Sequence, residues 1–137
     1  MLIAVDINAI KEYSLEEDTV DEKTIFLLGQ LDSMTRAFLD DLYSDVVKNE
    51  EGIDIMKDRT NMKLVDIAKF GLKGWKNFKD SNGVDIPFKV EEKIYPIIGK
   101  RTVATDESLN KLQREWKWLI AYEIISINTL TEEDKKK

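Results

Sequence analysis

The segment from Phe70 to Phe88, FGLKGWKNFKDSNGVDIPF, carries the clearest local signals of secondary structure in the chain. Its first residues are typical of a helix end, because lysine side chains suit the negative end of a helix dipole and glycine can adopt the positive φ of a helix terminus. Lys69 and Lys73 supply the cations, and Gly71 and Gly74 supply the glycines. We therefore predict a helix over about residues 61–73 that ends near Gly74.

After this helix the segment predicts a β-hairpin that is rich in aromatic residues. A short strand begins at Trp75, and the sequence DSNG at residues 80–83 is typical of a tight turn. From Val84 to Phe88 apolar and polar residues alternate, which predicts a second, half-buried strand. A proline cannot donate to a β-ladder, so we place the second strand at a sheet edge. We interpret the segment as a structural motif carried by Gly74, Trp75, Phe78, Gly83, Ile86, Pro87 and Phe88.

Patterns outside this segment predict an α+β fold: short N-terminal strands and the aromatic β-hairpin packed with three main α-helices. We expect a single domain over residues 1–130 and a polar, frayed tail over residues 131–137. Residues 53–56 suit a strand or a loop, and residues 89–103 fit no single element. The other predicted elements are extended pieces at 2–6 and 12–15, a buried strand at 24–28, a helix from Met34 to Lys48 capped by Ser33, and a last helix that opens at Thr105 and continues through Ile127.

Composition excludes several function classes from our expectations. The chain has 137 residues with no cysteine and no histidine, which removes the thiolate nucleophile and the commonest general base and metal ligand. Its net charge of −6 disfavours a nucleic-acid partner. No apolar run is long enough to span a membrane, and the N-terminus does not resemble a signal peptide. We expect a soluble protein inside the cell that is not an enzyme and that has no catalytic residue, cofactor or metal.

A calcium loop is the nearest candidate for a ligand site. Asp80, Asn82 and Asp85 could supply oxygens, but the apolar Val84 occupies a position where an oxygen ligand belongs. A polar hairpin turn explains the same residues, so we favour the turn.

The last helix carries the strongest indication of a partner. From Trp116 to Ile127 its apolar residues surround almost the whole circumference, and such a helix must be covered on every side. The N-terminal strands could cover the side that faces away from the core, or a second protein could do so. We take Trp118, Tyr122 and Ile125 as candidate partner-binding residues.

Three sequence patterns resemble a group of small tailed-bacteriophage proteins encoded among the virion morphogenesis genes. The most specific is F-x-L-x-G-W-x-N-F-x-D-x-x-G-x-x-I-P-F, which starts at Phe70. The pattern K-T-I-F-x-L-x-x-L-D from Lys23 resembles the first strand and helix start of that group. The residues from Leu109 to Glu133 resemble its terminal helix and acidic end. The Lys-rich segment from Lys89 to Arg101 has no counterpart that we can align.

This resemblance implies a non-enzymatic tail assembly chaperone, which would keep the tape-measure protein soluble during tail assembly. It further implies a homo-oligomer in the host bacterial cytoplasm, with virion association left open. One alternative is a minor virion structural protein, either a head-tail connector or a tail-completion subunit. Another is an acidic host-takeover inhibitor, although such a protein would gather its carboxylates on one face and here they alternate with lysines.

Overall fold

The computed structural model describes residues 1–2, 8–43, 45–48, 50–57 and 60–128, and in these ranges it confirms the α+β class. All but the first residue of the predicted extended piece at 2–6, and the whole predicted tail at 131–137, lie outside the described residues. In chain order the elements are β1 Ile10–Tyr13, β2 Ile25–Gly29, α1 Ser33–Leu42, β3 Asp45–Lys48, β4 Asp54–Lys57, α2 Thr60–Gly71, β5 Leu72–Lys76, β6 Val90–Tyr95, β7 Gly99–Ala104, α3 Asp106–Leu109 and α4 Arg114–Asn128.

Strand β2 is the centre of a three-stranded antiparallel sheet with the order β1-β2-β5. The prediction of a buried strand here is confirmed, because Phe26 and Leu28 are almost fully buried. Phe26 pairs with Tyr13 of β1 on one side and with Trp75 of β5 on the other. The backbone of β2 thus joins both neighbours, and Phe26 and Leu28 extend from one face of the sheet into the hydrophobic core.

Helix α1 is shorter than predicted and its cap is different. The helix ends at Leu42, and Asp45–Lys48 form strand β3, which pairs with β4 in an antiparallel hairpin. Apolar spacing of four residues predicted a longer helix, but pairing with the next strand along the chain overrides that pattern. Asp32, not Ser33, is the N-cap, and its carboxylate accepts a hydrogen bond from the Thr35 amide.

The prediction that α2 ends near Gly74 is also wrong. Gly71 is the last helical residue, and β5 begins at Leu72 without an intervening loop. Neither Gly71 nor Gly74 has a positive φ. Both glycines instead allow close packing: a Cβ on Gly71 would lie 2.5 Å from Ile124 Cδ1, and one on Gly74 would lie 3.2 Å from Leu27 Cδ1.

The aromatic hairpin is reduced to a turn closed by a single β-bridge between Lys79 and Asp85. The turn itself forms as predicted: Gly83 has φ 78° and its amide donates to the Asp80 carbonyl at 3.0 Å. The predicted edge strand from Val84 to Phe88 does not form. Asn77 has a φ of 56°, which turns the chain out of β5. Backbone pairing is therefore confined to the bridge and its two flanking hydrogen bonds, from the Ile86 amide to the Phe78 carbonyl and from the Asp80 amide to the Val84 carbonyl.

The C-terminal third holds one unpredicted hairpin and a divided helix. Strands β6 and β7 pair from Val90↔Ala104 to Tyr95↔Gly99, in the range where the sequence suggested no single element. Thr105 caps a helix as predicted, but that helix is the four-residue α3. A turn follows it, and α4 begins at Arg114. Ile120, Ala121 and Ile124 of α4 are completely buried and join α4 to the core.

Candidate partner-binding face

The candidate residues of α4 lie on one side of the helix. Trp118, Tyr122 and Ile125 are spaced by four and three residues, which places them along one stripe of an α-helix. Tyr122 is 56% exposed, and its neighbour Leu119 is 44% exposed, whereas Trp118 and Ile125 are half-buried. We call these four residues the α4 face. It is an apolar surface that the rest of the described chain leaves partly open.

N-terminal segments cover only the flank of α4 next to this face. Lys11 of β1 forms an ion pair with Glu123 at 2.6 Å, and Glu17 accepts a hydrogen bond from the Trp116 indole at 2.7 Å. These contacts correspond to the alternative in which N-terminal strands cover the helix. They leave Leu119 and Tyr122 exposed, so the alternative accounts for part of the apolar circumference.

At one end of the α4 face, the charged side chain of Arg114 lies over the ring of Trp118. The Arg114 guanidinium carbon lies 4.9 Å from the centroid of the Trp118 ring, within the range of a cation–π interaction. Such a contact covers part of the ring and leaves the rest of the half-buried indole open to solvent. The α4 face therefore includes an aromatic ring that is partly covered by Arg114 and partly exposed.

Beside the α4 face a groove runs between α1 and α2. It encloses a cavity of about 170 Å³, and Ile125 belongs both to this groove and to the α4 face. Its other apolar lining comes from Leu31, Leu39 and Ile67, and its charged lining comes from Arg36, Asp40 and Lys63. Lys63 and Asp40 form an ion pair at 2.6 Å. An apolar floor with a charged rim suits the binding of apolar side chains from a protein partner.

The aromatic motif forms a packed cluster rather than an open site. The Trp75 ring contacts Phe78 and Phe88 edge-on, with centroid separations of 4.9 Å and 4.8 Å. The Trp75 indole N–H donates to the Ile86 carbonyl at 2.7 Å. Gly74 packs against Leu27 in the sheet, whereas Gly83 and the exposed Pro87 lie outside the cluster.

The acidic turn next to this cluster uses its oxygens internally. Asp80 Oδ1 accepts hydrogen bonds from the amides of Asn82 and Val84 at 2.9 Å and 3.0 Å. Within the described residues no group of three or more carboxylates is placed to hold a metal ion. The structure thus gives the turn interpretation a physical basis.

Two ion pairs that sequence patterns did not reveal join distant elements. Lys69, which is only 8% exposed, donates to Asp106 at 2.8 Å, and this bond lowers the pKa of the Asp106 carboxyl. Arg101 lies 3.4 Å from Asp32. Burial opposes ionisation of Asp32, but the hydrogen bonds from Thr35 and the charge of Arg101 outweigh it and lower its pKa. Residues 37 to 69 positions apart form these pairs, so no local spacing could have indicated them.

No helix in the described ranges is both long enough and apolar enough to cross a membrane. Comparison with known proteins found no matching family model, no similar curated protein and no similar solved structure.

Proposed function

We propose that this protein is a non-enzymatic phage morphogenesis protein that acts as a tail assembly chaperone in the host cytoplasm. Its client would be the tape-measure protein, whose long apolar helices must stay soluble until the tail tube forms around them. The observation that carries this proposal is the α4 face, where Leu119 and Tyr122 remain exposed beside half-buried Trp118 and Ile125. An apolar stripe next to a groove is a surface on which an amphipathic client helix can lie.

The charge of the protein supports the same role. A net charge of −6 repels neighbouring chaperone–client complexes and so opposes their aggregation. Outside the acidic segment at residues 16–23, described lysines and carboxylates form dispersed surface pairs, such as Lys76 with Glu12 and Lys89 with Glu107. This arrangement favours a chaperone over the acidic host-takeover inhibitor, which would mimic nucleic acid and would need most of its carboxylates on one face.

The proposal is tested by co-expressing the protein with the tape-measure protein of the same gene cluster and measuring the mass of the soluble product by light scattering. We expect a soluble complex, and we expect the chaperone to be missing from finished particles. Expression of the tape-measure protein alone provides the control and should yield insoluble material.

A different result would identify the alternative role. If no complex forms and the protein is found as a ring in purified virions, it is a connector or tail-completion subunit and the chaperone proposal is wrong.

A further inference from the structure

The tip of the β6–β7 hairpin contains an isoleucine in an unfavourable backbone conformation. Tyr95 pairs with Gly99, which leaves a loop of Pro96, Ile97 and Ile98. The Ile98 amide donates to the Pro96 carbonyl at 2.7 Å, and Ile97 between them has φ 71°. This is the rare form of γ-turn with a positive central φ, and a β-branched residue is strained there.

The side chain of this residue is also exposed. Ile98 is buried in the core, whereas Ile97 is 88% exposed and the nearby Ile94 is 84% exposed. Backbone strain and an exposed apolar side chain thus occur at one residue, and strained positions cluster where proteins bind partners. We propose that Ile97 and Ile94, here named the hairpin knob, insert into an apolar socket on a second copy of this chain.

The socket lies between the loop before β2, the β2 strand and the start of α4. It is a cavity of about 260 Å³ with apolar walls from Leu15, Phe26, Phe78 and Trp116. Glu17 and Asp18 supply its acidic lining. Its aromatic walls are held in place by edge-on contacts of Phe78 with Phe26 at 5.9 Å and with Trp116 at 6.2 Å. A preformed apolar cavity of this kind accepts a branched aliphatic side chain with little rearrangement.

Charge favours a second copy as the occupant. Residues 89–101 around the knob carry four cations and two carboxylates, a net positive charge, whereas residues 16–23 beside the socket carry five carboxylates and one lysine, a net negative charge. Lys100 pairs with Glu92 at 3.0 Å, but both side chains are more than half exposed. Such a surface pair is weak, so Lys100 can exchange Glu92 for a carboxylate of the neighbouring copy.

The knob and the socket lie at opposite ends of β2. Phe26, near the start of the strand, lines the socket. The hairpin tip is held beyond the other end, where Arg101 lies 3.4 Å from Asp32 and its Nη1 donates to the Ile98 carbonyl at 2.6 Å. One copy cannot fill its own socket. The contact therefore joins two different surfaces, and repeated contacts make a closed ring or an open chain.

Concentration-dependent mass of the purified full-length protein, measured by sedimentation or light scattering, tests this inference without any client. We expect the wild-type mass to rise with concentration and the association to weaken as salt is added. Ile97→Gly should weaken association at least about tenfold. Its melting temperature should be unchanged or higher, because glycine adopts this φ without strain. Val84→Ser, at another exposed apolar residue, should leave association unchanged.

Mixing two variants distinguishes a head-to-tail contact from a symmetric one. Glu17→Lys should disable the socket, with Glu16→Lys on the adjacent exposed residue as a substitute should the first variant unfold. A mixture of Ile97→Gly and Glu17→Lys retains one intact knob and one intact socket, so it should form a heterodimer that neither variant forms alone. A wild-type protein that stays monomeric at every concentration, or an Ile97→Gly variant that associates like wild type, would overturn the inference.

Discussion

Gly71 at the end of α2 lies directly against Ile124 of α4, and a Cβ at Gly71 would approach three Ile124 carbons within 2.9 Å. Ile124 is completely buried, so its side chain cannot swing out into solvent to make room. The missing side chain of one residue thus sets the distance between the two helices.

Gly71→Ala should therefore destabilise the protein even though alanine favours helices. We expect a loss of about 1–3 kcal/mol, the usual cost of forcing extra volume into a packed core. Urea denaturation of the wild type and the variant measures this difference.

A second substitution shows whether the loss comes from the helix contact. Ile124→Ala removes the clashing atoms and by itself should cost about 2–5 kcal/mol through the cavity that it leaves. The double variant should lose less stability than the sum of the two single-variant losses, because the alanine methyl at position 71 enters the cavity left at position 124. Additive losses would show that Gly71 acts through its backbone rather than through this contact.

The Gly71 contact illustrates what could and could not be predicted from the sequence. Turn chemistry at Asp80 and Gly83, the cap at Thr105 and the apolar strand β2 depend on neighbouring residues, and these predictions are confirmed. The end of α2 was predicted wrongly because glycine has two uses, positive φ and close packing, and the choice depends on a helix 53 positions away. The division of α1 from β3 likewise depends on pairing with β4.

The same distinction applies to the α4 face. Helical spacing grouped Trp118, Tyr122 and Ile125, and the structure places them on one side of α4. The groove beside them involves α1 and α2 as well, so only the folded chain reveals it. The hairpin knob depends on the γ-turn at Ile97, which no periodic pattern indicates.

Asp32 should make the stability of the protein depend on acid pH. Its pKa is lower in the folded chain than in the unfolded chain, so its charge stabilises the fold above a pH of about 4. That contribution is lost as the pH falls through the lowered folded-state pKa. Asp32→Asn keeps a capping oxygen but has no charge, so we expect it to flatten this part of the stability profile, measured by urea denaturation at a series of pH values.

The cap itself is tested at neutral pH. Asp32→Ala should cost about 1–2 kcal/mol, because the Thr35 amide loses its hydrogen-bond acceptor. Ser33→Ala is the matched control at the adjacent, exposed residue and should be within about 0.5 kcal/mol of wild type. The reverse order of these two losses would assign the cap to Ser33.

Trp75 should contribute to stability through both its ring and its indole N–H. The ring is partly exposed, so Trp75→Ala should cost about 2–3 kcal/mol, less than the 3–5 kcal/mol typical of a fully buried aromatic side chain. Trp75→Phe keeps most of the ring contacts but leaves the Ile86 carbonyl without its donor, which should cost about 1 kcal/mol. Thermal or urea unfolding measures both. A loss below about 1 kcal/mol for Trp75→Ala would show that the ring adds little to the fold and would make Trp75 a candidate for partner binding.

Tyr122→Glu should reduce client binding without unfolding the protein. Tyr122 is the most exposed residue of the α4 face, so a carboxylate there remains hydrated in the free protein but would be buried without a partner in the complex. We expect at least about tenfold weaker capture of the tape-measure protein, with a melting temperature close to that of wild type.

Met62→Glu is the matched control, since Met62 is 57% exposed on another helix, and it should bind the client normally. Trp118→Glu makes the same test at the end of the α4 face next to Arg114, and it should also weaken client capture. If Tyr122→Glu and Trp118→Glu both capture the client as well as Met62→Glu does, the client binds elsewhere and the α4 face is not its site.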